Sequence, residues 1–413
     1  MRLLYAIPRY GQQFISNETH GEIVRELRTL GVDVDVLSFT TRAGASGPGG
    51  WGPGFQSERV YRHVQGHSIA ERILAPAARQ ALHYEFFFSM LAGYRTLVQP
   101  GAYNLVHIEG AFPLAAAAAL TRRTHTPYVV TTTGGDLFRL PGQSYGYAQY
   151  WLPRQLIQLG LRNASWVRAN STLSARLAAG YGANLARTTV LPVSIADISF
   201  PSGEQPLDVY RAQCRTQLAQ TYSWGPEPLI VCVGRLIALK APELLIEALP
   251  RIRELFGPVR VCIVGPSRPD PERGDYLTFL QQRATDLGVA DQCTFPGYIP
   301  LAQIRDFVAA ADLLAVPSRI EGLNRVVIEA GAVGTPAVVS DGAGAAELVT
   351  QYNSGLVTPA GDVAALADAI AAILHHPDMH AQYSAQALAL AHDHSATSIA
   401  KRLVRIYEQV LRQ

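Results

Sequence analysis

The chain has 413 residues, of which 48% are apolar and 16% are charged, and its formal net charge at pH 7 is only +2. This composition supplies a large apolar core and excludes a disordered, collagen-like or coiled-coil chain. The longest apolar run, 111–120, is about half of what a membrane span needs, and the first residues lack the pattern of a secretory signal. Four cysteines without a CxxC pair predict buried free thiols rather than a disulfide framework or a zinc site.

The charge is unevenly distributed along the chain. Residues 1–200 carry 18 arginines and no lysine against 11 acidic residues, which gives +7, and residues 201–413 carry the balancing −5. A basic half suits an anionic partner, such as an acidic acceptor, a phospholipid surface or an acidic protein. An ordinary solvated surface is an equally weighted alternative. No block of basic residues and no recognition-helix pattern occurs, so nucleic acid is not an expected partner.

Apolar runs and helical patterns alternate through the first 200 residues. The predicted strands cover 3–7, 32–39, 105–108, 128–132, 166–169 and 189–191, and helices cover 18–30 and 113–123. A Gly/Pro/Ser-rich surface loop is predicted over 42–57. The aromatic run 84–91 suits a core helix, which we prefer, or a segment that touches a membrane surface.

The pattern restarts after the proline-rich segment 200–228, which we interpret as a domain boundary. The predicted strands of this half cover 229–233, 259–264, 292–295, 313–316 and 337–340, and the helices cover 242–256, 275–287, 301–310 and 325–333. Continuous apolar strands that alternate with helices indicate parallel sheets covered on both faces. The fold class is therefore α/β, with two doubly wound domains whose ligand sites lie at the carboxyl ends of the strands.

Two cations follow the first strand of the second half. Gly234 lets the backbone turn at the strand end, and Arg235 and Lys240 lie in the loop after it. Two cations at one strand end form an anion site, and a diphosphate is the obvious ligand. Lys240 is one of only two lysines in the chain, the other being Lys401. That scarcity favours a specific role over that of an ordinary exposed lysine.

Two glutamates flank the start of the helix predicted after the fourth strand of this half. Asn324 is a good helix N-cap, so the amides of Gly322, Leu323 and Asn324 would point toward an anion or a sugar oxygen. Glu321 would lie in the loop above, and Glu329 would lie in the second turn of the helix. Carboxylates on either side of a helix start suit two different polyol groups.

A third candidate segment follows the strand that ends near Thr132. Thr133, Gly135 and Asp136 are our candidates for contact with a sugar or an acceptor, since paired glycines permit close backbone approach. Asp136 suits a ligand hydroxyl or the capping of the next segment equally well. Gly11, which follows the first strand with His20 one helix length on, gives a weaker signal of the same kind.

Six strings in residues 229–374 carry a resemblance to a known family. They are G-R-L-x-x-x-K, G-Y-I-P, A-D-L-L-A-V-P-S, E-G-L-N-x-V-x-I-E-A, G-T-P-A-V-V-S-D and G-L-V-T-P-A-G-D. In this order they resemble the retaining glycosyltransferases of family 4. The resemblance implies the GT-B architecture, in which two Rossmann-like doubly wound domains face an interdomain cleft. It implies an acceptor domain over 1–200 with a returning helix over about 395–413, and a nucleotide-sugar donor domain over 201–394.

The resemblance also implies roles for individual positions. Arg235 and Lys240 match the pair that neutralises the donor diphosphate, Glu321 the glutamate at the donor sugar, and Glu329 the glutamate that holds the ribose. The remaining donor positions that match the family are Gly11, Gly234, Tyr298, Ile299, Gly322, Leu323 and Asn324, with Tyr298 and Ile299 beside the nucleobase.

The chain departs from the family in its first half. A single Gly11 stands where the family often has two glycines, and Thr133 stands where it often has a histidine before Gly-x-Asp. The donor half therefore matches more closely than the acceptor half. The acceptor is left open, and so is the effect of Thr133 on activity.

The expected function is sugar transfer from a nucleotide diphosphate sugar to a glycan, lipid-linked or small-molecule acceptor, with retention of configuration. We expect no cofactor and no metal, because two cations can offset the diphosphate and no Asp-x-Asp stands at a strand end. The expected location is the cytoplasm, with peripheral membrane contact through the basic half as an option. The alternatives are a sucrose- or trehalose-type synthase and an inactive GT-B protein that binds a glycan or a partner.

Overall fold

A computed structural model describes residues 1–8, 17–40, 60–64, 68–121, 126–140, 145–203 and 205–413. These residues form two compact units. The first comprises Met1–Ser194 together with Ala396–Gln413, and the second comprises Ile195–Ser395. The chain thus leaves the first unit at residue 194, six residues before the predicted boundary, and returns to it for the last helix. Gly11 and the loop predicted over 42–57 lie outside the described residues.

The strands and helices are numbered here in chain order. The strands of the described residues are β1 Arg2–Ala6, β2 Asp33–Thr40, β3 Val60–Val64, β4 Leu105–Glu109, β5 Tyr128–Thr132, β6 Trp166–Ala169, β7 Thr188–Val190, β8 Leu229–Val233, β9 Arg260–Val264, β10 Pro269–Asp270, β11 Gly274–Asp275, β12 Cys293–Gly297, β13 Leu313–Val316, β14 Ala337–Ser340 and β15 Gly355–Thr358. The α-helices are α1 Asn17–Thr29, α2 Ile69–Leu82, α3 Phe87–Leu97, α4 Ala116–Leu120, α5 Trp151–Arg162, α6 Thr172–Gly180, α7 Leu207–Tyr222, α8 Glu243–Leu255, α9 Tyr276–Asp286, α10 Leu301–Ala310, α11 Val326–Gly331, α12 Ala346–Tyr352, α13 Val363–His375, α14 Pro377–Asp393 and α15 Ala396–Leu411. A π-helical turn covers Ala111–Ala115, and 3-10 turns cover Tyr147–Gln149, Leu185–Arg187, Asp197–Ser199 and Ala290–Gln292.

The first unit is a parallel sheet in the order β3-β2-β1-β4-β5-β6-β7. Helices α1 and α15 cover one face, because their apolar residues recur at helical spacing and pack on the side chains of β1 and β2. Helices α2 to α5 contribute to a second apolar cluster that uses the other side chains of the same strands. The sheet is therefore buried on both faces, as its continuous apolar strands predict.

A buried polar cluster interrupts the α15 face near the carboxyl ends of the strands. Nδ1 of His107 lies 2.5 Å from the Tyr407 hydroxyl on α15, and the Tyr5 hydroxyl donates to Oε1 of Glu109 at 2.5 Å. Burial lowers the pKa of His107 to about 4, so the ring is neutral near pH 7. Burial also acts to raise the pKa of Glu109, but His20, Arg168 and the hydrogen bond from Tyr5 outweigh it and hold that pKa below its usual value. A charged and hydrogen-bonded cluster thus attaches the last helix to the sheet.

The second unit is a parallel sheet in the order β12-β9-β8-β13-β14-β15. Helix α8 packs beside α13 over an apolar cluster that includes β8 and β9. The interpretation of 200–228 as a boundary is wrong for most of its length, because α7 occupies Leu207–Tyr222 and packs on α10. Arg211 of α7 donates to the carbonyls of Ala311, Val333 and Gly334 at 2.7–2.9 Å. These bonds make α7 an integral part of the second unit.

Three further predictions from the sequence can be compared with the structure. The aromatic run forms part of α3, and Phe87 is buried and stacks on Phe112, so the core interpretation is confirmed. The helix predicted over 113–123 begins instead with the π-helical turn, and its last two residues lie outside the described ranges. All four cysteines are free, although Cys293 is only half-buried.

Candidate active site

The carboxyl ends of β8, β9 and β12 meet at Gly265, where there is no room for a side chain. The Gly234 amide donates to the Val264 carbonyl at 2.9 Å, and the Gly265 amide donates to the Gly297 carbonyl at 2.8 Å. A Cβ added to Gly265 would lie 1.8 Å from the Gly234 carbonyl oxygen. The absence of a side chain at Gly265 therefore fixes where the loop that carries Arg235 and Lys240 begins.

Lys240 and Glu321, which are 81 positions apart in the sequence, form an ion pair between Nζ and Oε1. The Ser318 hydroxyl donates to the other carboxylate oxygen of Glu321 at 3.2 Å. The Lys240 and Glu321 side chains are 16% and 20% exposed, so the pair is largely withdrawn from water. The loops after β8 and β13 thus bring the predicted diphosphate cation and the predicted sugar glutamate into direct contact.

A small cavity gathers several of the predicted donor residues. Its lining includes Gly234, Arg235, Lys240, Ser318 and Asn324, and its volume is about 10 Å³. This volume is that of about one water molecule. The cavity matters because two cations and the ends of two loops meet around it. It lies at the carboxyl ends of the strands, where α/β sheets bind ligands.

The loop that carries Glu321 is held by the segment after β14. The Glu321 amide donates to the Gly342 carbonyl at 2.9 Å, and the Gly344 amide donates to the Glu321 carbonyl at 3.0 Å. Ala345 likewise donates to the Leu323 carbonyl at 2.6 Å. Backbone hydrogen bonds on both sides of Glu321 fix its position without the use of its side chain.

The prediction that Asn324 is the N-cap is wrong. Asn324 has a φ of +76°, in the left-handed region that asparagine tolerates, and Arg325 occupies the N-cap position. The reason is that the chain must turn sharply between the pinned loop and a helix of only six residues. Gly322, Leu323 and Asn324 are buried at this turn, with Leu323 and Asn324 only 4% and 6% exposed.

Glu329 lies in the first turn of α11 rather than in the predicted second turn, because the helix begins at Val326. Nε of Arg325 donates to Oε1 of Glu329 at 2.7 Å, which is an i,i+4 ion pair on the helix surface. Glu329 is 7% exposed. Its carboxylate is thus held in a fixed position by a neighbouring guanidinium.

Two predicted donor residues follow β12, next to β9 in the sheet. Tyr298 is 56% exposed and Ile299 is half-buried. Arg235 is also exposed at the end of β8. The order β12-β9-β8 places all three at the carboxyl edge of the sheet, where an exposed aromatic ring suits a flat ligand.

The third candidate segment lies in the first unit. Oδ2 of Asp136 accepts hydrogen bonds from the amides of Ala111 and Phe112 at 2.6 and 3.2 Å. Asp136 thus caps an earlier segment rather than the next one, because the chain order of neighbouring strands brings Ala111 beside it. Thr133 is exposed, and its carbonyl accepts from the side-chain amide of Asn170 at 3.2 Å.

Sequence reasoning missed two features of these sites. Ser318, in the P-S that follows β13, contacts Glu321, and its only sequence signal was its place at a strand end. The aromatic segment 145–150 forms a pocket with Gly135 and Asp136, and its signal was three tyrosines in six residues. Within the ranges that the structure covers, no group of three or more His, Cys, Asp or Glu side chains is arranged to hold a metal.

Comparison with known families gives a match for each half of the chain. Residues 216–389 match the family described as Glycosyl transferases group 1. Residues 17–194 match the family described as Glycosyl transferase 4-like domain. The two matches correspond closely to the two compact units.

Similar proteins carry names from the same class. One relative is the GDP-mannose-dependent alpha-(1-6)-phosphatidylinositol monomannoside mannosyltransferase of Mycolicibacterium smegmatis. The two sequences are 30% identical over 280 residues, an aligned region that covers 66% of this chain and 67% of that protein. The chain is also 31% identical over 319 residues to the D-inositol 3-phosphate glycosyltransferase of Nocardia farcinica, and this aligned region covers 76% of this chain and 68% of that protein. The crystal structure of HepE from Anabaena in complex with UDP has the same fold, with a TM-score of 0.73, 20% identity, and coverage of 99% of this chain and 100% of that one.

Proposed function

The chain belongs to family 4 of the glycosyltransferases, with the two domains of the GT-B fold, and from this membership we propose that it is a retaining, metal-independent hexosyltransferase. It moves a sugar from a nucleotide diphosphate sugar to a hydroxyl group of a glycan, a lipid-linked sugar or a small molecule, in glycan or cell-envelope biosynthesis. The observation that carries the proposal is the contact of Lys240 with Glu321 beside the cavity that Arg235 lines.

The diphosphate of the donor binds Arg235 and Lys240. A guanidinium and an ammonium offset much of its charge and stabilise the charge that develops as it leaves. This is the support for activity without a metal ion. Gly234, which precedes Arg235, leaves room for the phosphates close to the backbone.

Glu321 orients the donor sugar and stabilises the positive charge that develops at its anomeric carbon. With Lys240 at the diphosphate and Glu321 at the sugar, opposite charges would stand at the two ends of the bond that breaks. The bond between the anomeric carbon and the phosphate oxygen breaks, and the acceptor oxygen bonds to that carbon on the same face. The acceptor proton passes to the leaving phosphate oxygen, so no side chain needs to act as the base, and positioning supplies much of the rate.

The nucleoside binds at the neighbouring strand ends. Glu329 accepts hydrogen bonds from the ribose hydroxyls, and Arg325 positions its carboxylate. Tyr298 and Ile299 lie beside the base, and the buried loop residues Gly322, Leu323 and Asn324 contact the sugar and phosphates through their backbone. GDP-mannose is the first donor to test, because it stands in the name of a relative.

The location proposed is the cytoplasm, with contact to the inner face of the membrane when the acceptor is a lipid. Within the described ranges, no helix is both long and apolar enough to cross a bilayer. Ile69, Ile73 and Leu74 of α2 are 68%, 70% and 40% exposed, and the unit that carries them is basic. An exposed apolar helix face on a basic unit suits peripheral contact with anionic lipid.

The test is a donor screen with the full chain in the presence of a chelator. Purified protein is mixed with UDP-, GDP- and ADP-sugars, and the melting shift and the slow release of nucleotide are measured. We expect one donor to raise the melting temperature and to release nucleotide. Arg235→Ala should lower the release by a factor on the order of 100, with Arg412→Ala as a control at an exposed arginine far along the sequence.

Two other outcomes would replace the proposal. An intact fold that binds no donor would support the alternative of an inactive protein that binds a glycan or a partner. Release that accelerates with a free hexose or hexose phosphate, but not with larger glycans, would support a sucrose- or trehalose-type synthase.

A further inference from the structure

An aromatic pocket lies in the first unit, where the end of α2 meets the start of α5. Its volume is about 430 Å³, within the range of about 300–1,000 Å³ that is usual for small-molecule sites. Tyr145, Tyr147, Tyr150, His83 and Gln149 line it together with Asp136. We call this group the aromatic pocket.

Stacked rings form part of its wall. The rings of His83 and Tyr150 are 3.5 Å apart between centroids and nearly parallel, at 14°. Tyr147 is supported from behind by Phe112, at 4.9 Å between ring centroids. Such pairing fixes the rings before a ligand arrives, which reduces the entropy lost on binding.

The segment that carries the tyrosines is held in place by its backbone. Gly146 has a φ of +88°, and a Cβ there would lie 2.3 Å from the Phe138 carbonyl oxygen. The Ala148 amide donates to the Asp136 carbonyl at 3.2 Å, and the Gln149 side-chain amide donates to the Gly146 carbonyl at 2.9 Å. The chain therefore passes close to Asp136 and presents its tyrosines around that residue.

One polar atom of this wall lacks a partner. Oδ2 of Asp136 accepts from two backbone amides, but Oδ1 is buried and has no hydrogen-bond partner in the part of the chain that the structure describes. Burial raises the pKa of this carboxyl, and the amides of Ala111 and Phe112 oppose the rise. That oxygen has no accessible surface, so a ligand in the pocket does not reach it, and Asp136 contributes to the wall by its place in the chain.

The charge of the lining separates the classes of ligand. Among the described residues, no lysine or arginine lines the pocket, while one carboxyl does. A phosphate or another anion would meet that carboxyl without a counter-charge. A sugar ring fits the same lining, because its C–H face packs on aromatic rings and its hydroxyl groups bond to polar groups at the edge.

We propose that the aromatic pocket binds one uncharged pyranose ring of the acceptor, with a sugar face against the His83–Tyr150 pair. This proposal rests on the proposed transferase function. It narrows the acceptor to a neutral glycoside, as opposed to a phosphorylated polyol bound at this place. Tyr145 and Gln149 are the further groups that would distinguish one sugar from another.

The probes are methyl α-mannopyranoside, methyl α-glucopyranoside and methyl β-galactopyranoside, with myo-inositol 1-phosphate as the charged comparison. Binding to the full chain is measured by saturation-transfer NMR, and nucleotide release from the donor is measured on the same samples. The variants are His83→Asn and Tyr150→Leu. Asparagine suits position 83 because that residue has a φ of +52°. Tyr61→Leu removes an exposed tyrosine of the same unit outside the pocket and is the control.

We expect at least one methyl glycoside to bind and to accelerate nucleotide release, and myo-inositol 1-phosphate to do neither. Loss of either stacked ring should weaken that binding by about 3- to 10-fold. Tyr61→Leu should leave it unchanged, and melting curves show whether each variant is folded.

Three results would overturn the proposal. These are the absence of any glycoside binding, equal binding in the wild type and both pocket variants, and stronger binding of the inositol phosphate. The donor readout separates this failure from that of the proposed function. Glycoside binding without nucleotide release from any donor would refute the transferase and keep the pocket as a sugar site. Nucleotide release without any glycoside effect would refute the pocket and keep the transferase.

Discussion

Replacement of Lys240 by methionine and of Glu321 by glutamine, singly and together, tests whether these two side chains act as one unit. Their ion pair joins the loops after β8 and β13. Both side chains are largely withdrawn from water, at 16% and 20% exposure. Removal of one partner therefore leaves the other with a poorly solvated, uncompensated charge.

The size of the effect follows from this contact. Each single replacement should lower the rate of nucleotide release by about 10²- to 10³-fold, the usual loss for one charge-stabilising group. Independent side chains would give the double variant the product of both losses. Groups in contact usually couple by about 1–3 kcal/mol, so the double variant should lie about 5- to 150-fold above that product.

The free energy of unfolding provides a second test of the Lys240–Glu321 pair. Each single replacement should lower the free energy of unfolding by about 1–3 kcal/mol, because it leaves one partly buried charged group without its partner. The double replacement removes both charges, so its cost should be smaller than the sum of the two. Urea unfolding at constant pH measures all four proteins.

Lys401→Met is the matched control, since it removes the only other lysine, which is exposed on α15. It should change neither the rate nor the stability measurably. Strictly multiplicative losses of rate together with additive losses of stability would refute a functional pair. A loss in Lys401→Met as large as that in Lys240→Met would refute the assignment of Lys240 to the diphosphate.

Three further predictions concern the rest of the molecule. Gly265→Ala should lower donor turnover at least tenfold, because the added Cβ would collide with the Gly234 carbonyl and displace the loop that carries Arg235 and Lys240. Gly180→Ala is the control, since a Cβ there would meet nothing within 4 Å, and equal activities of the two variants would contradict the reasoning. The folded pKa of His107, about 4, is lower than its ordinary value of 6.5. The free energy of unfolding of the protein should therefore fall as the pH drops below 6.5, by about 3 kcal/mol at pH 4. The advantage of the wild type over His107→Gln in urea unfolding should therefore shrink as pH falls from 7 to 4, and a constant advantage would exclude this role. Chelation of divalent ions should leave nucleotide release unchanged, and restoration of a lost rate by added Mg²⁺ would disprove metal independence.

The class of fold was accessible from the sequence, because a parallel strand buried on both faces needs a continuous apolar run. Leu229–Val233 and Ala337–Ser340 are such runs, and their bounds agree with the prediction to the residue. Helix α7 was missed because its apolar residues form only a weak stripe, and Arg211 anchors it through backbone carbonyls that no local pattern reveals.

The candidate site divides in the same way. Gly234, Arg235, Lys240 and Glu321 stand out in the sequence because a loop after a buried strand needs few charged residues unless they bind something. The ion pair between Lys240 and Glu321 does not stand out, because it depends on β8 lying next to β13 in the sheet. The left-handed Asn324 was also hidden, since asparagine suits both an N-cap and a tight turn.

The sequence by itself determined the α/β class, most strands and the residues at their carboxyl ends, since these depend on local apolar patterns and loop composition. The family resemblance already implied that the last helix returns to the first unit, which is confirmed, but only the tertiary structure decided that Tyr407 holds it there by meeting His107 across 300 positions. It also decided that Oδ2 of Asp136 accepts hydrogen bonds from the earlier amides of Ala111 and Phe112, beside the aromatic pocket. Such contacts depend on the order of strands in the sheet, which local patterns along the chain do not encode.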